Sequence, residues 1–341
     1  MTRKSERVVV AMDKFRSSAS AGDLAELIVQ RGVPGVTFDV ATLSDGGEGF
    51  RAAFDGEVVT LRVRDPWGHW HDAPLTIVAT AHETLGVIEV AEIIGRSHRP
   101  TPTATEALAA SSEGVADAIL ASLSWGVTRV VVGCGGSATS DGGEGCYEVL
   151  HRAGGLDISM TAATDIGADY FGAVKYAEQK GVASGDLRLV ARRLDRLAER
   201  YKRLSGRDVR HVARTGAAGG LSGALYARGA DLVSGFDEVA RVNSLAARID
   251  VASRVITGEG RLDAGSLDGK VVSGVCALTN EHQRVLVVCG SRDVATAHEL
   301  TSRYPWARVE DLVSRCGERR AFDDTVGCVG EIVADFLADE L

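Results

Sequence analysis

Hydrophobic positions fall into two kinds of run along this chain. Short, unbroken β-branched runs occur at Arg7–Met12, Thr37–Ala41, Thr128–Val132, Arg254–Thr257 and Arg284–Cys289. Val130-Val131-Val132 shows no polar alternation, which predicts a strand covered on both faces. Longer stretches with helical spacing follow most of these runs and predict helices over Ala21–Gln30, Glu113–Ser124, Gly143–Ala153 and Lys270–Asn280. Alternation of this kind predicts α/β units with mostly parallel strands. Between about residues 58 and 100 the texture changes. Val58–Val63, Ala73–Ala79 and Leu85–Val90 read as antiparallel strands, with Asp65-Pro66-Trp67-Gly68 as a turn between the first two. A second domain is therefore expected, inserted into the first α/β unit or following it.

Asp186–Leu204 reads as a basic amphipathic helix. Leu187, Val190, Leu194, Leu197, Tyr201 and Leu204 recur at steps of three and four, and six arginines fill much of the rest. One buried stripe and a solvated face account for that pattern.

Length and composition narrow the choice. At roughly 150 residues per domain, 341 residues predict about two domains. With 45% hydrophobic and 25% charged residues the chain has the apolar mass of a folded globular protein, which excludes general disorder. The 38 basic and 47 acidic residues give a net charge of −9, which argues against nucleic acid as the main partner. No apolar run reaches the length of a membrane span, and Val8-Val9-Val10 after polar Met1–Arg7 is too short for the apolar region of a signal peptide. The six cysteines form no C-x-x-C pair, so buried reduced thiols and a cytoplasmic setting are expected. His69 and His71 are expected to lie on an exposed strand.

Four loops, three of them containing glycine, carry the candidate chemistry. Six of the thirteen residues Gly133–Gly145 are glycine, between a predicted strand and a predicted helix. Backbone N–H groups and the hydroxyls of Ser137, Thr139 and Ser140 can there converge on a phosphate. The loop is neither a Walker A nor a G-x-G-x-x-G motif, and the chain has no G-x-S-x-G elbow. Thr257-Gly258-Glu259-Gly260-Arg261-Leu262-Asp263, followed by Gly269-Lys270, sits at the end of a strand-like run. Arg261 and Lys270 could neutralise phosphoryl oxygens, and Glu259 or Asp263 could hold Mg²⁺. Asp13-Lys14-Phe15-Arg16 ends the first strand, where Arg16 could bind a carboxylate or phosphate. Arg214-Thr215-Gly216-Ala217-Ala218-Gly219-Gly220 allows close backbone packing. An acidic repeat accompanies them: Ser44-Asp45-Gly46-Gly47-Glu48-Gly49 recurs as Ser140–Gly145.

Taken in order, these loops resemble the type I glycerate kinase family. Ala11–Ala21 is similar to the family's A-P-D-S-F-K-G-S-L-S-A, and Ser44–Gly49 to its A-D-G-G-E-G. Ile88-Glu89-Val90-Ala91 fits I-E-x-A, Gly133–Gly143 resembles G-x-G-G-S-A-T-N-D-G-G, and Gly216–Gly220 matches G-A-A-G-G. Thr257–Asp263 with Gly269-Lys270 resembles T-G-E-G-R-x-D and G-K. The family's D-V-x-N-P-L and P-Q-K-G segments are altered: Asp165-Ile166-Gly167-Ala168-Asp169-Tyr170 lacks Asn-Pro-Leu, and Glu178 precedes Gln179-Lys180-Gly181.

The resemblance implies a two-domain α/β fold: a Rossmann-like parallel-sheet domain from residues 1–57 and 240–341, a mixed α/β domain from 58–239, and an active-site cleft between them. It implies ATP- and Mg²⁺-dependent phosphorylation of D-glycerate, with 2-phosphoglycerate favoured over 3-phosphoglycerate. The partner would be a small molecule, not nucleic acid or membrane, with a homodimer among the open oligomeric states. Asp45 is the first choice for the base and Asp141 the second, with Asp13 and Asp165 also open, and Lys270 and Arg261 would neutralise charge. Asp13, Arg16, Asp165 and Glu48 are expected to hold the substrate. Gly135, Gly136, Ser137, Thr139, Gly258, Glu259 and Gly260 are expected to hold the nucleotide, and Glu259 and Asp263 the metal. Which glycine loop takes ATP stays open. The altered segment at 165–181 motivates one alternative, a related kinase for another small hydroxy acid. A catalytically silent binding relative is a second.

Overall fold

The computed structural model describes residues 6–15, 18–30, 32–267 and 270–339. Arg16 and Gly269 therefore lie outside the described residues. The strands, in chain order, are β1 Glu6–Met12, β2 Val36–Thr42, β3 Glu57–Arg64, β4 Trp70–Ala79, β5 Thr84–Glu89, β6 Arg129–Gly133, β7 Ser159–Thr164, β8 Asp231–Ser234, β9 Arg254–Leu262, β10 Arg284–Arg292 and β11 Ala307–Asp311. They form two sheets. The chain divides into one unit of residues Met1–Asp45 with Phe236–Leu341 and another of Gly46–Gly235.

The first unit holds a five-stranded sheet in the order β11-β10-β9-β1-β2. Every pairing in it is parallel. The unbroken valine runs explain this: Val8, Val9 and Val10 are fully buried, as are Val285, Leu286, Val287 and Val288. One face packs Val8, Val10, Ile256, Leu286 and Val288 against Leu24 and Ile28 of the helix Ala21–Gln30 and against Val329, Ile332 and Phe336 of the helix Thr325–Ala338. Counted within this unit, the strands run 2-1-3-4-5, the flavodoxin-like doubly wound order. The order reverses between β1 and β9, and doubly wound sheets bind ligands at the carboxyl ends of strands at such a reversal. Asp13 and Glu259 stand there.

The second unit holds a six-stranded sheet in the order β3-β4-β5-β6-β7-β8. β3, β4 and β5 pair antiparallel, and β5 to β8 pair parallel. In β3, Val59, Leu61 and Val63 face the core while Val58, Thr60 and Arg62 face solvent, the alternation of a half-covered sheet. The expected turn closes the β3–β4 hairpin, with Asp65 Oδ1 accepting from the N–H groups of Trp67 and His69. In the helix Leu187–Ser205, Val190, Leu194, Leu197 and Tyr201 are buried, whereas Leu204 at its end is exposed. On its other face Arg196 and Arg200 pair with Glu144 and Glu148, and Arg193 bonds the Leu108 carbonyl.

The passage into the second unit comes at Asp45–Gly46, ahead of the texture change near residue 58. The reason is local: Phe50 packs so closely on β6 that a Cβ on Gly133 would stand 2.4 Å from its ring. The helix expected over Lys270–Asn280 runs only Val271–Ala277, with Lys270 extended at its N-cap. Five of the six cysteines are buried and all are free. Among the described residues no helix is long and apolar enough to cross a membrane.

Candidate active site

In the second unit the parallel strands β5 to β8 end on the same side of their sheet, and the glycine-rich loop Gly133–Gly145 leads from β6 into the helix Glu144–Ala153. Its backbone is locked by neighbours that leave no room for side chains. A Cβ on Gly135 would stand 2.6 Å from Gly47 Cα, and one on Gly219 would stand 2.1 Å from the Thr139 carbonyl oxygen. The acidic loop Gly46–Gly49 and the loop Gly216–Gly220 therefore flank the glycine-rich loop backbone to backbone. Ala218, Gly219 and Gly220 all take positive φ, as does Arg214. Non-glycine residues held in this region often mark functional backbone. Arg214 Nη1 donates to the Thr164 carbonyl at 3.3 Å, at the end of β7 beside Asp165.

Asp141 anchors the loop. Its Oδ2 accepts from Ser112 N, Ser112 Oγ and Gly145 N at 2.9, 2.7 and 3.2 Å, and its Oδ1 accepts from Gly143 N at 3.0 Å. Four donors hold this buried carboxylate in place. Tyr170 and Tyr201 both donate their hydroxyls to the Gly142 carbonyl, at 2.8 and 3.0 Å.

Lys180 is buried inside the loop. Its Nζ donates to Ser137 Oγ at 2.9 Å and to the Thr139 carbonyl at 2.8 Å. Burial lowers its pKa to about 8, against the pull of Asp141. The hydroxyl oxygens of Thr139 and Ser140 are buried without hydrogen-bond partners. Among the described residues the N–H groups of Gly135, Gly136, Ser137, Thr139 and Ser140 find no protein acceptor. Such donors are normally paired, so an unpaired cluster of them points to a missing acceptor. Gly136 is the exposed point of the Gly133–Gly143 segment. Exposed Arg96 lies beside it, donating its backbone N–H to the Gly136 carbonyl.

Glu89 supports the acidic loop. It is 3% exposed and accepts from Gly49 N at 2.8 Å and Arg51 N at 3.1 Å. Burial raises its pKa against those two hydrogen bonds. Glu48 is exposed and Asp165 half-buried, both in the second unit, while Asp45 is half-buried at the end of the first unit's segment.

In the first unit, Asp13 follows β1 and donates its N–H to the Gly258 carbonyl at 3.0 Å. Glycines let β9 and β10 close up: a Cβ on Gly258 would stand 2.3 Å from the Val288 carbonyl, and one on Gly290 would stand 2.5 Å from that of Gly260. Burial raises the Glu259 carboxyl to about 7, with Asp13 and Asp263 reinforcing the shift and Ser266 and Lys270 opposing it. Glu259 Oε1 and Thr257 Oγ1 are buried without partners. Asp263 Oδ1 accepts from Gly265 N at 3.0 Å, and Lys270 Nζ reaches the same turn, 3.8 Å from the Cβ position of Gly265. Arg261 and Asp263 form a loose exposed pair at 3.9 Å. Asp13, Glu259, Asp263 and Lys270 are thus brought together, at the reversal of strand order. His69 and His71 take no part: His69 bonds Asp65 and His71 bonds backbone carbonyls. No role follows from the sequence for Lys180, Arg96 or the strained Arg214, although Lys180 and Arg214 stand in its Gln179-Lys180-Gly181 and Arg214–Gly220 segments.

Comparisons with known proteins agree with this geometry. A model of the glycerate kinase family matches residues 8–153 and 151–318. The chain is 30% identical to the glycerate 2-kinase of Escherichia coli over 338 residues, covering 86% of this chain and 88% of that protein. It is 36% identical over 290 residues to an uncharacterised protein of Mycobacterium bovis, covering 80% and 75% of the two. A crystal structure from Salmonella typhimurium LT2, described as a glycerate kinase 2 candidate, superposes with a TM-score of 0.76 at 25% identity, covering 98% of this chain and 99% of that one. With matched segments running through both units, the chain belongs to the glycerate kinase family.

Proposed function

We propose that this chain transfers the γ-phosphoryl group of ATP to D-glycerate, giving 2-phosphoglycerate in preference to 3-phosphoglycerate. The observation that carries the reading is the set of unpaired donors on the glycine-rich loop, in a chain of this family. Phosphoryl transfer asks a protein mainly for positioning and charge neutralisation. In this reading the backbone of Gly135 and Gly136, with Ser137 and Thr139, binds the nucleotide phosphates. Gly258 and Gly260 let the chain approach the transferring group closely. Arg16 binds the glycerate carboxylate, and Asp13, Asp165 and Glu48 orient its hydroxyls. Asp45 accepts the proton of the attacking hydroxyl. That oxygen bonds to the γ-phosphorus as the bond to the β–γ bridging oxygen breaks and ADP leaves. Lys270 and Arg261 neutralise the charge that builds on the phosphoryl oxygens. Asp141 is left out of the catalytic set, because its two oxygens already accept four hydrogen bonds.

The residues suit Mg²⁺. Glu259 and Asp263 offer hard oxygen ligands, Glu259 Oε1 is buried without a partner, and the repulsion from Asp13 favours a bound cation. No group of three or more metal-ligating side chains occurs among the described residues, and Mg²⁺ commonly takes only one or two carboxylates beside phosphates and waters. Bound there, the ion would neutralise phosphate charge.

The base is tested by Asp45→Asn, with kcat followed as ADP release in the presence of D-glycerate. Turnover should fall at least about a hundredfold with the folding midpoint unchanged. Near-normal turnover would remove Asp45 from this role. The missing Asn-Pro-Leu at 165–170 supports a second reading, in which a different small hydroxy acid is the acceptor.

A further inference from the structure

Lys180 is an unusual choice for a purely structural residue. The residue is 93% buried, its two acceptors are a hydroxyl and a carbonyl, and no carboxylate pairs with it among the described residues. One ammonium N–H has no acceptor there. Two charged groups act on it: Asp141, already saturated by four donors, and Arg96, which repels it. Arg96 makes no ion pair among the described residues and stands at Gly136, the exposed point of the loop. Burying a positive charge with so little compensation is costly, and the cost is relieved when an anion arrives. The unpaired N–H groups and the buried hydroxyls of Thr139 and Ser140 want the same thing, an acceptor with several oxygens.

We propose that Lys180 is a positioning residue for the nucleotide phosphates: it holds Ser137 and Thr139 from inside the loop and, with Arg96, supplies the positive charge that keeps a phosphate group there. The assignment rests on the kinase reading above and adds a residue and a proton linkage to it. In the empty protein the ammonium titrates near pH 8. A bound phosphate favours the charged form, so binding above that pH draws a proton from solution. Protonated Lys180 binds the phosphate better, and affinity therefore falls as pH rises through about 8.

The test is calorimetric binding of ADP by the full chain in two buffers of different ionisation heat. At about pH 8.5 the ADP phosphates are fully ionised. The Glu259 carboxyl, near 7, is already mostly ionised. The wild type should take up more than half a proton per ADP, and Lys180→Met should bind ADP at least tenfold more weakly, with the uptake gone. Exposed Lys175→Met should match the wild type. A clamp that only held the loop would weaken binding without proton uptake, and zero uptake by the wild type overturns the proposal even if Lys180→Met does not fold. Wild-type ADP affinity in folded Lys180→Met overturns it too. ADP binding needs neither glycerate nor turnover. Lys180-dependent binding in a protein that phosphorylates no glycerate would sink the substrate reading and leave this one standing. Glycerate phosphorylation with a Lys180-independent ADP affinity would do the reverse.

Discussion

One carboxylate ties together three pieces of the second unit. Asp141 bonds the backbone of Gly143 and Gly145 and both donors of Ser112, 29 residues earlier in the chain. Its replacement by alanine leaves several buried donors unsatisfied and should cost about 3 kcal/mol, read as a lower urea midpoint at an unchanged slope. A loss below about 1 kcal/mol would mean that these donors find other partners. Asp141 also illustrates what a sequence reveals at this scale. A carboxylate beside glycines reads equally well as a base or as a cap, and the bonds to Ser112 and Gly145 favour the cap. Lys180 was less visible still. It stands in the altered Gln179-Lys180-Gly181 segment with no role attached, and only the fold carries it under Ser137, 43 residues away. Asp13, Glu259 and Asp263 lie at or near the ends of β1 and β9, whose pairing brings them together, and Lys270 caps the helix that follows. Arg16 lies outside the described residues.

At the scale of elements, loops built from glycine hold one another by exclusion of side chains. Gly219 sits at φ +71° with its Cβ position 2.1 Å from the Thr139 carbonyl oxygen, which is backbone and cannot move aside cheaply. Gly219→Ala combines overpacking with a left-handed conformation and should destabilise by about 3 kcal/mol. It should also weaken ADP binding, because the strained atom belongs to Thr139. Stability within about 1 kcal/mol of wild type would show that the loop can open without loss. The valine-rich strands were legible because an unbroken apolar run has few other uses, and β1, β6 and β10 extend only a residue or a few beyond the runs that announced them. β7 was not read. Its sequence, Ser-Met-Thr-Ala-Ala-Thr, carries little β-branched signal, and it forms because β6 and β8 pair with it on either side. β8, four residues long, depends on the same pairing. The helix Val271–Ala277 ends early because Leu278, at its C-cap, and Thr279 close the last turn with 3₁₀-type hydrogen bonds.

For the whole molecule, the proposed chemistry draws on two sheets of different construction. The first unit's parallel sheet presents carboxylates and Lys270 at its strand reversal, and the second unit's mixed sheet presents a phosphate-type loop over its parallel half. The α/β class and the parallel strands were readable from hydrophobic runs alone. The strand orders were not, since nothing local tells β9 to lie beside β1 after an excursion of 190 residues through Gly46–Gly235. Substrate identity is a property of the assembled enzyme, and the altered 165–181 segment makes it the claim most open to test. The direct measurement is phosphorus NMR of the purified protein with ATP, Mg²⁺ and D-glycerate. The account predicts a new phosphomonoester signal growing as ATP becomes ADP, with the coupling of a phosphate on the secondary, 2-hydroxyl carbon. Folded protein that leaves D-glycerate unmodified while phosphorylating another hydroxy acid, or none, would contradict it.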